Sequence, residues 1–242
     1  MKGIFLIARR ELGAYFNSFW GYLVVAVILI VNGLLFNAFA LGDSPKLSFE
    51  VLRDFFYFSF GTTVIASILI TMRLFAEERQ TGTMTLLDAS PLREWQLVAG
   101  KYTSAMLFLV VMLALSTYMP ALVFVNGKVS LGHIGAGYLG LLLVGSATVA
   151  IGTFSSTLSR SQLVAAVIGG VIAVFLLVTW LLARIADPPL KEVLSYMSLF
   201  DSHFRRTFME GQIHTRDVVF YLSVTFAFLV LSIRWISARR WK

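Results

Sequence analysis

The chain has 242 residues, of which 58% are hydrophobic and only 14% are charged. A soluble globular domain of this size has about 45–50% apolar and about 25% charged residues, so it could not bury such a composition. The absence of cysteine excludes a disulfide-stabilised secreted scaffold, and the 21 Phe, 5 Trp and 8 Tyr exclude a disordered chain. Composition therefore predicts an integral membrane protein that crosses the bilayer several times.

The N-terminal residues are predicted to form an amphipathic helix and not a cleaved signal peptide. Their apolar start at residues 4–7 is short, and Arg9, Arg10 and Glu11 interrupt it. The apolar positions between residues 3 and 17 recur near a helical period. Such a helix lies in the plane of the membrane interface, so we expect residues 1–18 to precede the first span as an interfacial helix.

Six apolar stretches are long enough to cross a bilayer, which takes about 20 residues in a helix. None of them alternates apolar and polar residues as the strands of a membrane barrel do. The sequence therefore predicts an all-α integral membrane protein with one transmembrane domain over residues 1–242. The predicted spans cover residues 19–41, 55–72, 102–125, 134–158, 163–183 and 218–236.

The distribution of charge predicts the orientation of these spans. If both termini are cytoplasmic, the cytoplasmic segments hold twelve Lys and Arg and five Asp and Glu, whereas the opposite side holds eight of each kind. The whole net charge of +7 then lies on one side, as is typical of the cytoplasmic side of membrane proteins. The same distribution leaves no basic patch for nucleic acid, so we expect lipid and protein partners only.

The centres of the predicted spans contain no ionisable residue. Because ion-coupled pumps and proton relays usually need such a group, we expect the energy for any uphill transport to come from outside the chain. Hydroxyl side chains do recur every four residues on the second span, at Ser59, Thr63, Ser67 and Thr71. Two interpretations stay open: these hydroxyls belong to helix contacts, with hydrogen bonds to neighbouring helices or back to carbonyl groups of their own helix, or they line a translocation path.

Two glycine motifs resemble nucleotide sites without their context. Gly135, Gly137 and Gly140 follow the G-x-G-x-x-G pattern, but they open a predicted span, whereas a dinucleotide site needs a preceding strand. Gly100-Lys101 lacks the first glycine and the Ser or Thr of a phosphate-binding loop. We therefore expect no cofactor on this chain, and the absence of hydrolase motifs predicts that it is not an enzyme.

Residues 184–217 form the long segment on the predicted outer side. Apolar residues at positions 190, 193, 194 and 197 predict an amphipathic helix, either lying on the outer leaflet or serving as a docking surface for a partner. His203 and His214 are expected to be solvated loop residues, with a weak metal site as the alternative. His133 is expected to be an isolated residue at the membrane interface.

Residues 73–101 form the longest predicted cytoplasmic segment, and here the composition changes abruptly from apolar to charged. Gly82 permits a sharp turn, and Ser90-Pro91 is typical of a helix start. Leu87 and Trp95 are among several apolar residues placed where they could face water. Short helices with apolar tips suit docking into a partner's groove, although a solvated linker stays an alternative.

The segment EERQTGTMTLLDASPLREWQLVAGK resembles the signature of ABC-2-type permeases, which lies between their second and third spans. The N-terminal IARRELGAYF is similar to the elbow helix that opens members of that family. The predicted topology of six spans also agrees with that of the family, so the resemblance covers the whole chain. The C-terminal GQIHTRDVVFYLSVTFAFLVLSIRW resembles, more narrowly, the permease subunit of the gliding-motility-associated subgroup.

The resemblance implies an ABC-2 (type V exporter-like) fold, with residues 1–18 as elbow helix and a coupling helix within residues 73–101. It implies a non-catalytic subunit of the bacterial inner membrane that dimerises and binds two copies of a cytoplasmic ABC ATPase, which holds ATP and Mg. It also implies a second permease or an auxiliary subunit with an extracytoplasmic domain. The residues expected to lie at the ATPase contact are Glu77, Glu78, Arg79, Gly82, Thr83, Leu86, Leu87, Pro91, Leu92, Trp95 and Lys101, beside Arg9, Arg10 and Glu11 of the elbow.

The sequence therefore favours the permease subunit of an ATP-driven transporter. A mechanical relay is the alternative, in which the bundle passes ATPase-driven motion to an extracytoplasmic partner without moving a substrate. A membrane enzyme or scaffold without an ATPase would leave residues 73–101 unexplained.

Overall fold

The computed structural model describes residues 2–41, 46–84, 93–127 and 129–240, and these residues contain helices but no strand. Six helical stretches within them are long and apolar enough to cross a membrane, which confirms the predicted all-α fold with six spans. The α-helices of the described residues are α1 (Lys2–Phe16), α2 (Phe19–Leu35), α3 (Ser48–Thr71), α4 (Ala76–Gln80), α5 (Glu94–Ser116), α6 (Tyr118–Asn126), α7 (Leu131–Leu158), α8 (Gln162–Ile185), α9 (Leu190–Met197) and α10 (Thr215–Arg240).

Helices α1 and α2 meet at a tight corner. The hydroxyl of Ser18 accepts a hydrogen bond from the Trp20 backbone N–H at 3.3 Å and caps the start of α2. At Gly21 an added Cβ would lie 2.2 Å from the carbonyl oxygen of Tyr15, so a side chain there would force the two helices apart. The corner turns α1 away from the direction of the first span.

The second span is interrupted between α3 and α4, and a neighbouring helix holds the break. Ser156 of α7 accepts hydrogen bonds from the backbone N–H groups of Phe75 at 2.9 Å and Ala76 at 3.1 Å. These are donors at the start of α4 that have no partner within their own helix. Because Phe75 and Ala76 are fully buried, the break is a fixed part of the packed bundle.

Helix α7 lies at the centre of the bundle and contacts α3, α5, α8 and α10. Its glycines permit this close packing. A Cβ on Gly137 would lie 2.2 Å from the ring of Phe56, and one on Gly140 would lie 2.6 Å from Phe208. Two glycines of the G-x-G-x-x-G pattern, Gly137 and Gly140, thus have an explanation in packing.

Helices α2, α8 and α10 form the least buried spans, since only 28%, 22% and 28% of their most apolar windows are buried. They leave apolar surface for lipid or for another subunit. Because six spans bring the chain back to the side where it began, both chain ends lie at one end of the bundle. We call it the elbow end; it holds α1, residues 72–84 and 93–101, and the turn at 159–161. The opposite far end holds α9 and residues 198–214.

Candidate functional site

Four charged side chains from three parts of the chain meet beneath α1 at the elbow end. Lys101 of α5 is only 1% exposed, and its Nζ lies 3.1 Å from Glu11 Oε1 and 2.8 Å from Glu78 Oε1. Arg10 donates to the same two carboxylates, at 2.6 Å and 3.1 Å. We call Arg10, Glu11, Glu78 and Lys101 the charge cluster. It ties α1, α4 and α5 together.

The charge cluster is electrically balanced, with two cations and two carboxylates. A buried ion costs several kcal/mol of desolvation unless charged partners compensate it, so Lys101 depends on both carboxylates. Burial by itself raises the pKa of Glu11, but Lys101 and Arg10 outweigh it and hold that pKa below its usual range. Glu11 is therefore ionised at neutral pH and stays available as a partner of Lys101.

Further hydrogen bonds join the α1–α2 corner to the α3–α4 break. Arg73 binds both carboxylate oxygens of Glu77, at 2.7 Å and 3.0 Å, and also reaches the hydroxyl of Ser18 at 3.3 Å. The buried Tyr15 donates its hydroxyl to the carbonyl oxygen of Ile70 at 2.8 Å. Together with the charge cluster, these contacts make α1, α4 and the start of α5 one connected unit.

Contacts of α4 and of the turn that follows it attach this part of the chain to the bundle. Arg79 donates to the carbonyl oxygen of Ser159 at 3.0 Å, which attaches α4 to the α7–α8 turn. Gly82 has a φ of 75°, a left-handed conformation that suits glycine, and it forms the predicted sharp turn. Thr83 donates to the carbonyl oxygen of Glu78 at 3.3 Å. The chain therefore reverses directly next to the charge cluster.

Other predicted coupling residues face outward or lie beyond the described part. The indole of Trp95, in the first turn of α5, is 42% exposed, and Arg9 is exposed on α1. Neither contributes to the charge cluster. Because both are exposed, a partner at the elbow end could contact them. The predicted residues that lie outside the described residues are Leu86, Leu87, Pro91 and Leu92.

The hydroxyl stripe of α3 lies inside the bundle. Thr63, Ser67 and Thr71 each donate to the carbonyl oxygen one turn earlier in their own helix, at 2.6–2.8 Å. These three residues and Ser59 are buried. Thr71 faces Gly152 of α7 so closely that a Cβ added to Gly152 would overlap the hydroxyl of Thr71. This geometry favours the helix-joining interpretation, because closely packed helices leave no open path along the stripe.

The prediction that His203 is solvated is wrong. Its ring is 1% exposed and stacks on Phe220 at 3.9 Å, because the aromatic residues of this segment fold back onto the bundle. Its Nδ1 lies 2.7 Å from Asp217 Oδ1 and its Nε2 lies 2.8 Å from the carbonyl oxygen of Tyr196. His214 is exposed, as expected. Among the described residues no three potential ligands come together to hold a metal ion.

His133 is also more integrated than an isolated interface residue. It is 7% exposed, and its Nε2 lies 2.9 Å from the carbonyl oxygen of Met209. Together with the His203–Asp217 pair, this contact fastens residues 198–214 to the ends of α7 and α10. The far end is therefore a packed cap over the bundle.

Several residues that build the elbow end are not among the residues predicted from the sequence. Tyr15, Ser18 and Ser156 supply hydroxyl groups to backbone or side-chain partners that are far away along the chain. Their residue types are ordinary in membrane helices, so composition gives no signal for them.

The architecture and the elbow-end site define a multi-pass α-helical membrane protein with a charged unit that connects its N-terminal helix to the chain between its second and third spans. A family profile described as ABC-2 family transporter protein matches residues 43–233. The chain therefore belongs to the ABC-2 family, as the resemblance predicted, and is a permease component of an ABC transporter. A search of curated proteins found no match.

Proposed function

We propose that this permease couples ATP hydrolysis by a cytoplasmic ABC ATPase to transport across the bacterial inner membrane, with residues 73–101 as the contact. The charge cluster is the observation that carries this proposal. It fixes the segment that would receive the ATPase to α1 and α5, with Lys101 almost fully buried between Glu11 and Glu78. A displacement of this segment would therefore move three helices together.

The mechanical argument follows the chain in both directions from the charge cluster. On one side α4 continues into α3 through a buried break held by Ser156. On the other side Lys101 belongs to α5, which is a continuous helix from Glu94 to Ser116. Through the described residues on either side, a docked ATPase would thus act on two spans, and Arg79 would extend the effect to the α7–α8 turn.

The orientation and the partners are part of the same proposal. The elbow end carries the excess of Lys and Arg and is assigned to the cytoplasm by the positive-inside rule. Two ATPase subunits would hold ATP and Mg there. The exposed flanks of α2 and α8 are the candidate surfaces for a second permease or for an auxiliary subunit with an extracytoplasmic domain. Kinship with the gliding-motility-associated subgroup belongs to this proposal as well.

The test uses the complex purified from membranes with its ATPase. Glu78→Arg places a third cation beside Lys101 and Arg10, so we expect the cluster to open and the two components to uncouple. ATP would still be hydrolysed, but ATP-dependent changes in protease protection of the permease would be lost. Glu192→Arg, an equal charge reversal on the exposed surface of α9, is the matched control and should behave like the unmodified chain.

Two results would contradict the proposal. One is that no ATPase accompanies the unmodified chain through purification. The other is that Glu78→Arg keeps the full ATP-dependent change in protection while the chain is correctly inserted.

A mechanical relay remains the second candidate function, and the buried hydroxyl stripe favours it over a path through one protomer. The discriminating observation is the space between two protomers in the assembled complex. A wide vestibule open to lipid would support transport, whereas a closed contact between the bundles would support a relay.

A further inference from the structure

The far end contains a cavity of about 860 Å³ between the start of α3, the end of α8, α9 and the turn at Asp201–Arg205. Its wall carries five basic and three acidic side chains, so it has a positive balance. The charge cluster lies at the opposite end of the bundle and does not contribute to it. The basic residues are Arg53, Arg184, Lys191, Arg205 and Arg206.

Three of the five cations already have carboxylate partners. Asp201 accepts from Arg205 at 3.1 Å and from Arg206 at 3.0 Å, so one acid serves two cations. Arg53 lies 4.0 Å from Glu210, at the limit of an ion pair. These pairs hold the cationic side chains along the wall but neutralise them only in part.

The remaining two cations are not paired. Asp54, the third acid of the wall, is bound to Lys46 at 2.9 Å. Among the described residues neither Arg184 nor Lys191 forms an ion pair, and both line the cavity and are exposed. Two cations that line the same cavity repel each other, and an anion bound between them would relieve this repulsion. The cavity therefore has the charge that an anionic ligand would complement.

The arginine is also held in position. The guanidinium of Arg184 lies over the Trp180 ring at 4.5 Å from its centroid. A stacked guanidinium keeps the N–H groups at its edge available, and their fork geometry suits phosphate oxygens. Tyr57 and Phe200 complete an aromatic floor and contact each other at 5.4 Å. Aromatic residues of this kind are typical of the level of lipid head groups.

Next to the cavity, the last turns of α8 offer an apolar surface. Leu181 is 41% exposed, Leu182 is 43% exposed and Ile185 is 85% exposed, and all three belong to the same helix end as Arg184. A soluble phosphate compound would leave this surface uncovered. A lipid whose head group occupies the cavity would place its acyl chains there.

We propose that this cavity binds the phosphate-bearing head group of an anionic membrane lipid from the leaflet at the far end. Arg184 and Lys191 bind the phosphate, Trp180 orients the arginine, and the flank of α8 takes the acyl chains. The site would operate in a transporter and in a relay alike, so it does not depend on the proposed coupling.

Native mass spectrometry of the detergent-solubilised complex tests the proposal. The probes are phosphatidylglycerol, phosphatidylcholine, and glycerol phosphate as the soluble source of the same chemistry. The unmodified protein should retain phosphatidylglycerol in preference to phosphatidylcholine. Arg184→Gln combined with Lys191→Gln removes two charge-assisted contacts and should weaken this retention by about tenfold.

Two further variants separate binding from folding. Arg216→Gln removes an exposed cation of the same end that stacks on Tyr196 outside the cavity, and it should retain the lipid normally. Arg184→Lys keeps the positive charge and should retain more lipid than Arg184→Gln. If Arg184→Gln fails to fold, Lys191→Gln on the exposed surface of α9 gives the same comparison.

The proposal would be overturned by any of three results. The unmodified protein could show no preference between the two lipids. Arg216→Gln could lose as much lipid as the double variant. Glycerol phosphate could displace the lipid at equal concentration, which would assign the cavity to a soluble phosphate compound.

Discussion

Lys101 is the residue on which the elbow end depends most. Its ammonium group is 1% exposed and lies between two carboxylates that are each only 15% exposed. Removing one partner of a buried ion pair is strongly destabilising because the remaining charge stays buried without compensation. Loss of Lys101 would weaken two contacts between helices, because Glu11 belongs to α1 and Glu78 belongs to α4.

We expect Lys101→Met to lower the free energy of unfolding by about 3–5 kcal/mol, because it leaves two neighbouring carboxylates buried with only Arg10 to balance them. Thermal unfolding of the purified chain in detergent measures this. Adding Glu78→Gln to the same chain removes one uncompensated charge and should restore part of the loss. If the double variant were no more stable than Lys101→Met, uncompensated charge in the charge cluster would not be the cause of the lost stability.

The charge cluster also shows a limit of prediction at the scale of single residues: the sequence indicates which residues are unusual but not which of them meet. Glu78 and Lys101 were recognised as unusual through the family pattern, and Arg10 and Glu11 through their position in an apolar stretch. Nothing in the chain indicated that the four meet, because the meeting depends on the corner at Ser18 and on the break at Phe75. Burial of His203 was missed for the same reason: its partner Asp217 follows after a turn whose path is set by packing.

At the scale of the helix, the sequence predicted most of what the structure has. Hydropathy places the spans because each must bury about 20 residues in lipid. The ends are less predictable: α3 begins at Ser48, seven residues before the predicted span, because its first two turns are charged on one side and buried on the other through Val51 and Leu52. The contacts between helices depend on small residues whose partners the sequence does not name.

The contact between α3 and α7 gives a prediction at this scale. A Cβ on Gly152 would lie 1.9 Å from Thr71 Oγ1 and 2.8 Å from Thr71 Cβ, so Gly152→Ala must push the helices apart. We expect a loss of about 1–3 kcal/mol in the free energy of unfolding, as for other overpacked cores. Chemical or thermal unfolding in detergent measures the loss.

Two controls decide whether the overlap is the reason. Gly135 lies on the same helix with no atom within 4 Å of an added Cβ, so Gly135→Ala should not destabilise the chain. Thr71→Ala removes the clashing hydroxyl but keeps the Cβ, so it should recover part of the stability when it is combined with Gly152→Ala. Equal destabilisation by both glycine variants would argue for a general effect of alanine and against the specific contact.

The whole molecule has two ends of different character, and its function depends on which compartment each one faces. The elbow end has the buried charge cluster and the exposed Trp95, whereas the far end has a packed cap with a basic cavity. ATP-driven coupling at the elbow end requires that this end faces the cytoplasm, whereas lipid binding at the far end is possible in either orientation. The orientation is therefore a test of the coupling proposal alone.

The chain contains no cysteine, so one introduced thiol reports its position without background. Thr83 at the elbow end and Gln212 at the far end are both exposed, and each is replaced by cysteine in a separate variant. In intact spheroplasts, a membrane-impermeant maleimide should label Gln212→Cys, whereas Thr83→Cys should react only after the membrane is opened. The reverse labelling would place Thr83 on the side of the membrane that has no cytoplasmic ATP. The proposed contact between this part of the chain and an ATPase would then be impossible.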